Sequence, residues 1–265
     1  MYADYLVMRP FNAVFCVVFA AFLLLLIVAS CILRRKDVRI RKKVLIIFSA
    51  FALIGFFAYK GSLSVDREYD ILMAGMGGFN WWGELPLHLC NINMFLIPIA
   101  VIWDKRSLMS FAFFVGPLGA MMALIMPGVG FDGYSLILPR MLGYYGTHFA
   151  IVVEAFALAT FGLYRPRFRD LPRTVLTILA IALAVFGINL LLRATGLYLR
   201  ANYFYSVETE GNPLLDLFYS WIPAPFLYLL PAIGLLVGYM ALVMLAFAGA
   251  ERIQALRRAK PRPGK

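Results

Sequence analysis

Charge is scarce in this sequence. Only 15% of its 265 residues are Asp, Glu, Lys or Arg, while 63% are hydrophobic and the mean hydropathy is +0.82. A soluble domain cannot hide that much apolar surface, so the composition excludes a soluble enzyme and indicates a polytopic membrane protein. Three cysteines and two histidines exclude a disulfide framework and, without a CxxC or paired-histidine spacing, a zinc site; no metal is expected. There is no Walker loop and no GxGxxG after a strand, which excludes ATP-driven transport by this chain alone and leaves no cofactor to expect. The net charge of +11 would suggest nucleic acid in a soluble protein. Its distribution points instead to a membrane surface, so membrane lipids rather than nucleic acid are the expected partners, and no feature sets an oligomeric state.

What is present is a series of apolar runs, each near the ~20 residues that ~30 Å of hydrocarbon requires. They fall at 11–33, 44–60, 83–102, 107–126, 141–163, 174–195 and 224–248, with Lys60 closing the second early and expected to snorkel. Nineteen of the 25 basic residues then lie on one side, in the groups 34–43, 105–106, 165–173 and 252–265. The other six are Arg9, Lys60, Arg67, Arg140, Arg193 and Arg200. That asymmetry fits seven spans and fails with six or eight. The expected fold is therefore all-α: a single transmembrane helical bundle over 1–250, with the N-terminus outside and a basic cytoplasmic tail over 251–265. Val28-Ala29-Ser30-Cys31 looks like a lipoprotein cleavage box, but Arg34-Arg35-Lys36 follows it, so a plain first membrane helix is the better reading. Trp81-Trp82 reads as an interfacial anchor, and 196–223 as an ordinary external loop rather than a lid.

Polar residues inside hydrocarbon are expensive unless paired or facing a cavity, so they are the functional candidates. Glu84, His88 and Asn91 stand at i, i+4, i+7, on one face if the third span is a regular helix. Cys90 sits about eight residues into that span and shares another face with Asn93 and Met94, roughly 200° from His88. The fifth span carries Tyr144, Tyr145 and His148 near its outer end. Cys90 and His148 are thus expected at matched depth, each about 10 Å below the interface, on spans running the same way. A thiol and an imidazole so placed are the minimal parts of a nucleophile and its base. Glu154 lies deeper with no basic residue level with it, and is expected to be protonated or bonded to a hydroxyl. Asn189 and Arg193, at i and i+4 of the sixth span, suit either donation to a carbonyl or phosphate, or a structural role toward Glu84 or a loop.

The run Leu85-Pro86-Leu87-His88-Leu89-Cys90, the later Tyr145-Gly146-Thr147-His148 and the pair Asn202-Tyr203 ahead of a Pro-rich entry to the last span resemble the YwaF-like bacterial integral membrane proteins. The resemblance covers about 80–248 and implies a multi-pass protein of a bacterial inner or plasma membrane. Through that family it implies a relation to eukaryotic transmembrane Cys/His acyltransferases that reacylate lysophospholipids, with Cys90 as nucleophile and His148 as base. Glu208-Thr209-Glu210-Gly211 before Pro213 departs from the pattern. The implied chemistry is thioester formation on Cys90 and transfer of the acyl group to a lipid hydroxyl or water, with Asn91, Asn93 or Asn189 as oxyanion donors. Two other classes remain open from the residues themselves. One is a small transporter using Glu84, His88 and Glu154 as a polar path; the other is a lipid-binding structural protein whose polar groups only join helices.

Overall fold

A computed structural model of the chain describes residues 6–259. After a short strand β1 (Val7–Met8) come helices α1 (Ala13–Leu33), α2 (Val38–Leu63), α3 (Arg67–Met73), α4 (Leu89–Ile102) and α5 (Arg106–Ile125). Strand β2 (Tyr134–Ser135) precedes α6 (Pro139–Thr160), α7 (Leu171–Ala194), α8 (Pro213–Trp221) and α9 (Leu230–Ala259). The starts are set by local chemistry. Asn12, Asp37, Asp66 and Asn212 each accept a backbone N–H with the side chain, capping α1, α2, α3 and α8. Pro139 and Pro213 open their helices where a missing N–H costs nothing.

The protein is a helical membrane bundle. Among the described residues, six helices are long and apolar enough to cross a bilayer: α1, α2, α5, α6, α7 and α9. Helix α6 is the hub, with 78% of its most apolar stretch buried against 11% for α1 and for α9. It packs on α2 so closely that a methyl group on Gly143 would collide with the Tyr59 ring.

The third expected span departs from regularity. Only the 14 residues of α4 are helical, about 21 Å of rise, and the approach from 81 to 88 is a 3-10 turn (Trp81–Gly83) followed by a series of bends that reaches extended geometry at His88. Pro86 explains the break: it has no N–H to donate and disfavours helical geometry at Leu85. The expectation that Glu84, His88 and Asn91 share a helical face is therefore wrong. Glu84 ends the 3-10 turn, and His88 is the residue that precedes α4. Cys90 is the second residue of its helix rather than the eighth of a span.

The two ends of the bundle are distinct. At one end gather the short basic connections, tied by Lys42 to Asp104 (2.5 Å), Arg106 to Asp170 (2.6 Å) and Arg165 to Glu251. At the other lie the long connections. Here β1 pairs antiparallel with β2, Val7 opposite Ser135 and Met8 opposite Tyr134. Arg140, 1% exposed, bonds Asp66 and Glu68 at 2.7 Å each. Burial alone would raise the Asp66 carboxyl, but hydrogen bonds from the Tyr69 amide and Arg140 outweigh it and hold the group below its ordinary value. Helix α9 continues through 251–259, so the first part of the expected tail is helical; 260–265 lie outside the described residues.

Candidate functional site

The break before α4 is held by a non-local clasp. Buried irregular backbone in a membrane protein must find partners inside the protein. Here the Leu85 amide donates to the Tyr203 hydroxyl at 3.1 Å, and that hydroxyl donates to the Trp82 carbonyl. Asn189 on α7 fixes the tyrosine in turn, donating to Tyr203 O and Ser206 Oγ (2.8 Å each) and accepting from the Tyr203 amide (3.0 Å). Arg193, one turn on, bonds Ala201 O and Glu208. Phe204 and Tyr205 are both held at positive φ, 63° and 51°, a strained pair that persists because its surroundings over-determine it. Asn202 supplies part of that, accepting the amides of Val207 and Glu208. The 196–223 loop is thus seated on the break, and Asn189 and Arg193 serve it. Their donors are committed there.

Lys60 pairs with Glu84, the side chains 12% and 14% exposed, and Tyr69 donates to the same carboxylate at 3.2 Å. The lysine is anchored in the protein, not snorkelling. The His88 ring packs on Tyr203 and Tyr205, centroids 5.1 and 6.4 Å away. Of the three groups expected along a polar path, Glu84 is in an ion pair and His88 is packed among tyrosines.

Cys90 is buried in the first turn of α4, its backbone within reach of a methyl group placed on Gly119 of α5. Its thiol contacts Asn91 Oδ1 at 3.7 Å. The amides of Leu89, Cys90 and Asn91 are first-turn donors without an intrahelical acceptor, and the positive end of the helix dipole lies there. Asn93 donates one of its two side-chain N–H groups to Leu89 O at 2.7 Å.

His148 stands at the same level. Gly116 of α5 faces Ile151 and Ala155 of α6. One turn nearer the loop-rich end, Gly119 faces Cys90 and the α6 residue opposite is close to His148, within about one helical turn. His148 Nδ1 lies 2.6 Å from the Tyr144 carbonyl. A carbonyl only accepts, so Nδ1 carries the hydrogen and Nε2 of the neutral ring keeps its lone pair. The Tyr144 ring, between Phe131 (4.3 Å) and His148 (4.5 Å), is pinned by its hydroxyl to Ala123 O at 2.7 Å. Tyr145 donates to Phe131 O at 3.1 Å. Cys90, Tyr144, Tyr145 and Phe149 belong to one apolar cluster that surrounds the site.

A cavity of about 350 Å³ opens at the basic end, beside Arg106, Tyr164, Arg165 and Phe247. Its arginines are already paired with Asp170 and Glu251, and it is remote from Cys90. Sequence reasoning missed Tyr203 and Lys60 as supports of the site. Tyr203 stood out only within the Asn202-Tyr203 pair, and Lys60 only as the charge that closes the second span.

Comparison with known proteins gives one match. The family model described as the TMEM164 family covers residues 7–248. No curated protein and no solved structure matches.

Proposed function

The chain belongs to the TMEM164 family, a family of transmembrane proteins, and on that footing we propose that it is an integral membrane acyltransferase with Cys90 as nucleophile and His148 as base. The observation that supports the reading is the orientation of His148: Nδ1–H is committed to Tyr144 O, and Nε2 is left as an acceptor on a helix whose register brings it within about one helical turn of the level of Cys90. The likeness of Leu85–Cys90 to the YwaF-like proteins, and through them to lysophospholipid acyltransferases, supplies the substrate class. A membrane lipid ester is the donor and a lysophospholipid hydroxyl the acceptor.

In the first half-reaction Nε2 takes the Cys90 thiol proton and the thiolate attacks the ester carbonyl. The first-turn amides of α4 receive the developing oxyanion. The ester C–O bond breaks, the leaving alkoxide takes the proton from His148, and an acyl thioester remains on Cys90. In the second half the acceptor hydroxyl gives its proton to Nε2 and attacks the thioester. The C–S bond breaks and the proton returns to the thiolate.

The test is acyl transfer from a labelled phospholipid to a lysophospholipid by the full-length protein in liposomes. Cys90→Ala is expected to abolish transfer, and His148→Gln to reduce it by about 10²–10⁴-fold, the usual worth of a general base. Cys90→Ala with full activity overturns the proposal.

A further inference from the structure

Glu154 has no role in that chemistry, yet it is 0% exposed and neither carboxyl oxygen has a hydrogen-bond partner. Among the other buried side-chain atoms without a partner, Ser49 Oγ on α2 and Asn93 Oδ1 on α4 are oxygens, both in residues that are 0% exposed; the rest are the Nε atoms of Arg41 and Arg140, toward the two ends. The packing puts the three at one level. On α2 and α6, Tyr59 sits against Gly143 and Arg41 bonds Phe161 O, an antiparallel register that sets Ser49 opposite 153–154. The Ser49 hydroxyl approaches the Glu154 carboxyl without hydrogen-bond geometry. On α4, the Asn93 amide meets the α5 surface at Gly116 beside Ile151 and Ala155, the residues that flank Glu154.

The inventory of hydrogens is short by one. With Glu154 ionised, the four oxygens carry many lone pairs and a single hydrogen, that of Ser49. The Asn93 amide nitrogen gives an N–H to Leu89 O, and its oxygen has no donor. No cation is positioned to compensate. The titratable groups on the packed helices lie away along the axis: Cys31 of α1, Arg39, Arg41, Lys42 and Lys43 of α2 and Arg106 of α5 toward the basic end, and Cys16 of α1, Tyr59 and Lys60 of α2, Cys90 of α4 and Arg140, Tyr144, Tyr145 and His148 of α6 toward the other. An uncompensated carboxylate here would bear the full cost of desolvation.

We propose that Ser49, Asn93 and Glu154 form a mid-membrane proton site in which Glu154 is the neutral acid. One proton completes the set: Glu154 donates to Asn93 Oδ1, and Ser49 donates to the other Glu154 oxygen. The ligand is a proton rather than a metal cation, since the set is three side chains on packed helices with no acceptor beyond these four oxygens among the buried unbonded atoms at that level. Its consequence reaches Cys90, because Asn93 is one turn along the same face of α4 and holds the carbonyl of its first residue. Loss of the proton loosens α2, α4 and α6 from each other next to the thiol.

Infrared difference spectroscopy of the full-length protein in nanodiscs, titrated from neutral to alkaline pH, reads this directly. The expected result is a carbonyl band of an un-ionised carboxyl at neutral pH, absent in Glu154→Gln and moved in Ser49→Ala and in Asn93→Leu. Identical neutral-pH spectra for the wild type and Glu154→Gln in that region overturn the site. A Glu154 band unmoved by Asn93→Leu overturns the three-residue assignment. If Glu154→Gln fails to fold, the Ser49→Ala and Asn93→Leu shifts still decide the matter.

Discussion

The two ends of the bundle solve the same problem in opposite ways. At the basic end every connection is short, the helices are regular to their last turns, and the charged groups pair near the surface: Lys42 with Asp104, Arg165 with Glu251. At the loop-rich end one crossing is broken before Leu89, and its repair comes from far along the chain, from Tyr203, Asn189 and the Lys60–Glu84 pair. Irregular backbone in a membrane survives only where protein satisfies it. Here it survives beside a cysteine in the first turn of α4 and a histidine with a committed tautomer. The regular end holds the bundle together; the irregular end carries the proposed chemistry.

Substitution tests the contrast. The largest effect is expected for Glu84→Ala. It strands the mostly buried Lys60 ammonium, and removal of one partner of a buried pair costs about 3–5 kcal/mol. Unfolding in detergent, followed by helical circular dichroism, measures the loss, and the double change Lys60→Met with Glu84→Gln should recover most of it. Tyr203→Phe comes next, removing the hydroxyl that bridges Leu85 N and Trp82 O. Leaving those backbone groups unmet is worth about 1–3 kcal/mol. Hydrogen exchange at 81–89 should rise while that at the basic end is unchanged. The smallest effect is expected for Asp104→Ala. That carboxylate is 65% exposed, and exposed pairs contribute about 0–1 kcal/mol. A loss at Asp104 as large as that at Glu84 would erase the distinction between the ends.

The long spans were readable from sequence because length and hydropathy are local properties. The third was not, because an apolar run reports which residues prefer hydrocarbon and says nothing about where backbone hydrogen bonds are made. Pro86 held the only local hint of the break. Regular helix geometry applied across it put Glu84, His88 and Asn91 on one face, a relation that does not hold once the chain is non-helical from Glu84 to His88. The roles of Asn189 and Arg193 depended on a loop that returns to α7 with no periodicity to announce it. Glu154 was legible as an acid without a cation, since an absence of basic residues at its level is visible in the sequence itself.

The central claim is that Cys90 accepts an acyl group with His148 as its base. Intact-protein mass spectrometry after brief exposure to a phospholipid donor, without acceptor, tests it most directly. The account predicts one added acyl mass on the wild type, released by hydroxylamine and mapped to the peptide containing Cys90, absent in Cys90→Ala and formed far more slowly in His148→Gln. An adduct that persists in Cys90→Ala, or that forms at the wild-type rate in His148→Gln, would contradict it.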